Sequence, residues 1–193
     1  MIGKIDPRMK KLAGAAAMTA AAGAIGLLAW RANRRARSGN PAVPQPARTV
    51  ELDRYLGRWF ELARYDNRFE RGCEDVAAEY ALRADRTIGV SNHCREAGPR
   101  ARRRVSRGRA KVVPDSGNAK LKVSFFGPFF VGDYWVLDHD EDYRWSIVGE
   151  PSGCYLWILH REAHPGADVL RQLLRRAADL GYDVSRLRLT HHA

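Results

Sequence analysis

Cysteine is scarce in this chain, with three residues in 193. None precedes Cys73, so the N-terminal region offers no cysteine to which a lipid can be attached after processing. The six histidines show no metal-ligand spacing with the cysteines, and we expect no bound metal. Acidic residues are equally scarce at the start of the chain: residues 1–50 hold nine Lys and Arg but only Asp6 against them.

The signatures of nucleic-acid-binding proteins are also missing. The net charge of +11 raises nucleic acids, anionic membranes and acidic ligands as partners. Most of that excess belongs to residues 1–50, so residues 51–193 are close to balanced. No zinc-finger, RRM or helix-turn-helix pattern accompanies them. We therefore expect no nucleic-acid partner.

An uncharged, mostly apolar run occupies Leu12–Trp30, with basic residues on both sides. As a helix these 19 residues would be about 28 Å long, close to the thickness of a bilayer core. We interpret residues 1–37 as a membrane anchor, with a cleavable signal peptide and a disordered tail as alternatives. Residues 38–49 are rich in proline, which is typical of a semi-extended linker. The globular domain is then expected from residue 50 to residue 193.

Alternating apolar and polar residues dominate the remainder of the chain. About eight such runs occur about 8–12 residues apart, separated by turn residues, and the first leads from Gly57 through Trp59 to Tyr65. This pattern predicts a closed antiparallel β-sheet rather than alternating strands and helices. One helix is predicted from Leu170 to Leu180, where leucines recur at helical spacing before Gly181.

Four stretches of the sequence resemble the lipocalin family, and in particular the bacterial lipocalins related to apolipoprotein D. They are Gly57–Arg64, Lys122–Phe129, Asp140–Arg144 and Tyr155–Arg161. The resemblance covers roughly residues 50–190. It implies an all-β fold, an eight-stranded antiparallel up-and-down β-barrel with the C-terminal α-helix packed outside, here preceded by an N-terminal membrane helix.

The resemblance also implies structural roles for five residues. In the family, the tryptophan of the first stretch closes one end of the barrel and the arginine of the last stretch stacks over it. Arg161 is therefore expected to lie on Trp59 in a cation–π contact. The structural signature comprises Gly57, Trp59, Asp142, Tyr143 and Arg161.

With Arg161 at the closed end, strand alternation places a mostly apolar set of side chains inside the barrel. Such a lining predicts the binding, storage or transport of a small hydrophobic ligand, a fatty acid or a lysophospholipid above all. The polar members either orient a head group or hydrogen-bond to one another. The predicted ligand-binding residues are Glu61, Ala63, Tyr65, Phe69, Tyr80, Asn92, Val123, Phe125, Tyr134, Tyr155 and Trp157.

Hairpin pairing brings Cys73 and Cys94 near each other, and we expect a disulfide between them if the domain is exported. No catalytic set is recognisable, so we expect neither an enzyme nor a cofactor; a Cys-dependent lipocalin enzyme and a structural or stress-related envelope protein are the alternatives. Many bacterial relatives are lipid-anchored at a cysteine that this chain lacks. The apolar run then predicts an inner-membrane anchor with the barrel in the periplasm. A homodimer is an open alternative to the monomer.

Overall fold

The computed structural model describes residues 38–96 and 102–193. The predicted N-terminal membrane helix lies outside these residues. Within them, no helix is both long enough and apolar enough to cross a bilayer.

Nine antiparallel strands of the described part of the chain form a single sheet. The first strand pairs with the second as well as with the eighth, so eight strands close into a barrel. The ninth strand has three residues and extends the wall beside the first. The predicted barrel is thus confirmed. The strands are β1 Gly57–Tyr65, β2 Cys73–Leu82, β3 Ile88–Glu96, β4 Arg103–Val112, β5 Lys120–Ser124, β6 Gly132–His139, β7 Trp145–Gly149, β8 Leu156–His160 and β9 Leu187–Leu189.

The two ends of the barrel differ because successive strands are antiparallel. The β4–β5 and β6–β7 connections lie at the end where β1 begins, and the short helix α1, Leu52–Tyr55, packs there. The β1–β2, β5–β6 and β7–β8 connections lie at the opposite end, where β3 ends and β4 begins, and we call this end the mouth.

The C-terminal helix α2, Ala167–Asp179, packs on the outside of the barrel, as predicted. Leu173 and Ala177 are fully buried against an outer-wall cluster that includes Ile147 and Ile158. Gly181 ends the helix with a φ of +88°, a backbone conformation that side-chain-bearing residues rarely adopt. A 3₁₀ turn at Val184–Arg186 follows and leads into β9. This last strand has only three residues, because the turn occupies the segment before it.

The proline-rich segment before the barrel follows its outer wall. Gly39 lies at the mouth, where its N–H donates to the carbonyl of Gly153 at 2.9 Å. Asn40 is 2% exposed and its side chain donates to the carbonyl of Leu180 at 2.8 Å. At the other end of the segment, the N–H of Val50 donates to the carbonyl of Gly117 in the β4–β5 turn. The segment therefore runs from the mouth to the closed end.

A β-bulge at Leu62 changes which side chains of β1 face inward. Glu61 pairs with Leu159, but the next pair along β8 joins Ala63 to Ile158, so Leu62 is the extra residue. A bulge reverses the alternation of side chains beyond it. The expectation that Ala63 and Tyr65 line the interior is therefore wrong: both pack in the outer cluster under α2.

Candidate ligand-binding site inside the barrel

The floor of the barrel is formed by Trp59 and Arg161, as expected. Trp59 is 0% exposed, and its indole N–H donates to the carbonyl of Tyr55 at 2.8 Å. The Arg161 guanidinium lies 3.8 Å from the centre of the indole ring. It also donates to the carbonyls of Arg58 and Tyr143 at 2.7 and 3.1 Å. These contacts close the end of the barrel and leave no group free for a ligand among them.

The other signature residues shape the same end. Gly57 has a φ of +90°, and a side chain added there would approach the Arg161 guanidinium. Tyr143 has a φ of +56°, and its hydroxyl accepts a hydrogen bond from the N–H of Glu51 at 2.7 Å. Asp142 differs from the others, because its side chain is 76% exposed and meets Arg54 only at 4.0 Å. The signature therefore supports the fold at this end.

Above the floor, three tyrosine hydroxyls form a layer across the interior. The hydroxyl of Tyr134 lies 2.9 Å from that of Tyr55 and 3.0 Å from that of Tyr80. The Tyr55 hydroxyl also lies 3.1 Å from the Ser146 hydroxyl. Burial raises the pKa of Tyr55 to about 12 and raises those of Tyr80 and Tyr134. The neutral hydroxyls hydrogen-bond to one another, which matches the expectation of mutual hydrogen bonding rather than that of orienting a head group.

A buried ion pair occupies the inner face of β1 next to the bulge. Arg64 is 0% exposed and its Nη1 donates to Glu61 Oε1 at 2.5 Å. The same guanidinium donates to the carbonyls of Glu70 and Cys73 at 3.1 and 3.0 Å. The hydroxyl of Thr190, which follows β9, donates to Glu61. The Glu61 carboxylate therefore has its partners within the protein, and the expectation that it binds a ligand's head group is not supported.

The electrostatics of this pair follow from its burial. Removal from water raises the pKa of Glu61 from 4.5 to about 8, the Glu70 carboxylate adds to the rise, and Arg64 and Thr190 oppose it. Burial lowers the pKa of Arg64, but the charges of Glu61, Glu70 and Glu74 outweigh this effect and raise it overall. The guanidinium stays charged at every physiological pH.

Between the tyrosine layer and the mouth, the inner wall is mostly apolar. Partly buried Val123, Phe125 and Trp157 lie toward the mouth ends of β5 and β8 and pack against the cluster that also holds the tyrosines and the buried Val90 and Ala110. Ala78 is a further inward-facing member of this wall. Asn92 is half-buried on this wall, where it pairs with Ala78 on β2 and Ser106 on β4.

The β1–β2 loop lies across part of the mouth. Phe69 stacks on Tyr155 with ring centres 6.2 Å apart, and Tyr155 stacks in turn on Trp157 at 5.7 Å. The Trp157 indole N–H donates to the Glu70 carboxylate at 3.0 Å. From the opposite wall, Arg104 donates to the carbonyl of Phe69 at 3.1 Å. The loop is thus fastened to both sides of the opening.

The structure brings most of the predicted ligand-binding residues together. Tyr80, Tyr134, Asn92, Val123, Phe125 and Trp157 lie inside the barrel, and Phe69 and Tyr155 lie at its mouth. Strand alternation missed Arg64, Tyr55 and Arg104. For Arg64, the sequence carried one signal: an arginine within an otherwise apolar strand needs a buried acid, and Glu61 lies three residues away.

The predicted disulfide between Cys73 and Cys94 is present, with Cα atoms 5.4 Å apart. It joins the mouth ends of β2 and β3 and packs with Val76 in a small separate cluster. Cys154 is half-buried in the β7–β8 loop. Its backbone N–H donates to the Glu150 carboxylate at 2.9 Å.

Comparison with known proteins agrees with this geometry. The lipocalin-like domain family matches residues 50–192. The chain is a lipocalin. Lipocalins generally bind small hydrophobic ligands, and the barrel described above is the part of the chain that belongs to the family.

Sequence similarity to bacterial lipocalins and to apolipoprotein D places this lipocalin in the bacterial, apolipoprotein D-like branch, as the sequence predicted. Outer membrane lipoprotein Blc of Escherichia coli K12 is 42% identical over 150 residues, covering 76% of this chain and 84% of Blc. Temperature-induced lipocalin-1 of Arabidopsis thaliana is 41% identical over 149 residues, covering 73% and 78%. Insecticyanin of Manduca sexta, a solved structure, superposes with a TM-score of 0.62 at 21% identity, covering 77% and 84%. The last similarity concerns the fold alone.

Proposed function

We propose that this lipocalin binds one acyl-chain lipid, a fatty acid or a lysophospholipid, between the tyrosine layer and the mouth. The observation that carries the proposal is the apolar inner wall toward the mouth, built from Val123, Phe125 and Trp157 and continued by Val90 and Ala110 beside the tyrosines. Burial of an acyl chain contributes about 0.8 kcal/mol per methylene. About a dozen methylenes therefore give micromolar affinity after the cost of association.

The head group belongs near the mouth rather than among the tyrosines. The tyrosine hydroxyls and Glu61 already have partners inside the protein. Arg104 pairs with Cys94 across the β3–β4 ladder and so lies on the inner side of the wall, close to Phe69. A guanidinium at this place suits the carboxylate of a fatty acid or the phosphate of a lysophospholipid.

Titration of the protein with cis-parinaric acid, whose fluorescence rises in apolar surroundings, tests the proposal. Native protein should bind it saturably at one site, and Trp157→Glu should weaken binding by more than about tenfold, because the acyl chain would then bury a carboxylate. Leu82→Ser is the matched control, since Leu82 is 57% exposed at the far end of β2. Equal affinity of native protein and Trp157→Glu would refute the site.

We place the barrel in the periplasm, attached to the inner membrane through residues 1–37. The Cys73–Cys94 disulfide supports an oxidising compartment. The apolar run Leu12–Trp30, with basic residues on both sides, supports attachment through the chain itself. Carbonate extraction of fractionated membranes tests this: the protein should remain with the inner membrane, whereas release or outer-membrane recovery would contradict it.

A stress-related envelope role is the second candidate, favoured by the name of the temperature-induced relative. Two results together would favour this role. The protein's synthesis would rise on heating, and the purified protein would contain no lipid and would not bind cis-parinaric acid. A Cys-dependent reaction would have to use Cys154, since the other two cysteines form the disulfide.

A further inference from the structure

The β5–β6 loop presents an apolar surface at the mouth. Phe126, Phe129 and Val131 are 87%, 72% and 81% exposed. Exposed apolar side chains grouped in one loop are typical of protein or membrane contact sites. We call these three residues the rim patch.

The rim patch is held in place by its neighbours. The Ser124 hydroxyl and the Arg109 guanidinium donate to the carbonyl of Gly127 at 3.1 and 3.5 Å. Phe125 packs inside the barrel and Phe130 lies under Lys111, whose ammonium is 4.7 Å from its ring centre. The loop thus partly buries Phe125 and Phe130 and holds Phe126 and Phe129 outward.

Basic side chains lie at the same end of the barrel as the rim patch. Six exposed arginines are found in the β1–β2 loop, just before β4 and on the mouth half of β4: Arg68, Arg71, Arg102, Arg103, Arg104 and Arg107. Among the acidic side chains at this end, Asp66, Glu96 and Asp133 lie 3.8, 3.5 and 2.6 Å from the side chains of Arg188, Arg104 and Lys122, which neutralise them. An apolar loop at a basic end of the barrel is complementary to an anionic lipid bilayer. The anionic head groups attract the arginines, and the phenylalanines insert at the boundary of the acyl chains.

We infer that the mouth of the barrel docks on an anionic phospholipid bilayer, with Phe126, Phe129 and Val131 inserted between the head groups. The inference does not depend on the proposed ligand, because bilayer docking uses the outer surface of the loops. If both hold, the lipid reaches the barrel directly from the membrane.

The test uses the full chain with one tryptophan added at either end of the barrel. Phe129→Trp places it in the rim patch, and Leu82→Trp places it at the closed end as a matched control. Each variant is mixed with vesicles of equal parts phosphatidylcholine and phosphatidylglycerol whose acyl chains carry bromine, a contact quencher. We expect quenching of the tryptophan added at position 129 and none beyond native protein at position 82. Equal quenching in both variants would overturn the inference, because residues 1–37 alone would then hold the protein at the vesicle.

A charge change separates docking from ligand binding. In the Phe129→Trp background, Arg107→Glu should raise the vesicle concentration needed for half-maximal quenching by about fivefold or more. Arg175→Glu, on the exposed face of α2, is the matched control and should change it less than about twofold. Equal effects would contradict the proposed orientation. Parinaric acid titration without vesicles should be unchanged by Arg107→Glu, so failure of docking and failure of ligand binding are distinguishable.

Discussion

Replacing Arg64 by Met should destabilise the protein strongly, because it breaks the buried ion pair on one side only. The substitution removes the hydrogen bonds of Arg64 to Glu61, Thr190 and two backbone carbonyls. At pH 9, above the raised pKa of Glu61 of about 8, it also leaves the Glu61 carboxylate, 2% exposed, without its cation. Breaking a buried pair in this way costs about 3–5 kcal/mol.

The matched variant removes both charges. In Glu61→Gln/Arg64→Met no uncompensated charge remains, so about half or more of the lost stability should return. Urea unfolding at pH 9, where Glu61 is ionised, followed by tryptophan fluorescence measures both variants. Arg175→Met on the exposed face of α2 is the control and should change stability by less than about 0.5 kcal/mol. A loss below about 1 kcal/mol in Arg64→Met, or a double variant no better than the single one, would refute the reasoning.

Three other changes test the closed end, the disulfide and the titration of the interior. Arg161→Met removes the stacking on Trp59 and the bonds to backbone carbonyls; thermal unfolding should report a loss of about 2–4 kcal/mol, and an unchanged midpoint would contradict it. The Cys73→Ser/Cys94→Ser variant loses a crosslink between residues 21 apart, so urea titration should show a loss of about 3 kcal/mol that disappears when both proteins are compared under reducing conditions. The raised pKa of Glu61 stabilises the folded state fully below about 4.5, and this contribution is lost as the pH rises through about 8. Unfolding free energy should fall over that window and Glu61→Gln should flatten the fall; identical profiles would count against the assignment.

The alternation of side chains predicted the barrel well where the strands are regular. Leu159 and Trp157 face inward and Leu156 and Ile158 face α2, as period two requires. The irregularity in the β1–β8 pairing lies on β1, and β8 pairs without interruption with β7, so this phase holds along the whole of β8.

The same rule failed on β1 because of the bulge at Leu62. A bulge is set by the partner strands and not by a local sequence pattern, and Ala63 and Tyr65 are apolar enough for either face. The polar contacts inside the barrel could not be predicted from the strands either, since Tyr55 comes from α1 and Thr190 from the C-terminal end of the chain. Contacts of such large sequence separation follow only from the closed topology.

The rim patch shows the opposite situation. The phenylalanines of the β5–β6 loop were visible in the sequence, but their exposure depends on how the loop is fastened at Gly127. Phe125 and Phe130 pack on the barrel, whereas Phe126 and Phe129 point to solvent. Residue type alone cannot separate the two pairs.

Native mass spectrometry of the purified protein tests the central claim, lipid binding above the tyrosine layer, most directly. The protein is incubated with oleic acid or with a lysophospholipid and sprayed under non-denaturing conditions. We expect a complex of one protein with one lipid, retained in Leu82→Ser and lost in Trp157→Glu. A spectrum that shows only unliganded protein in every preparation, or equal lipid on Trp157→Glu, would contradict the claim.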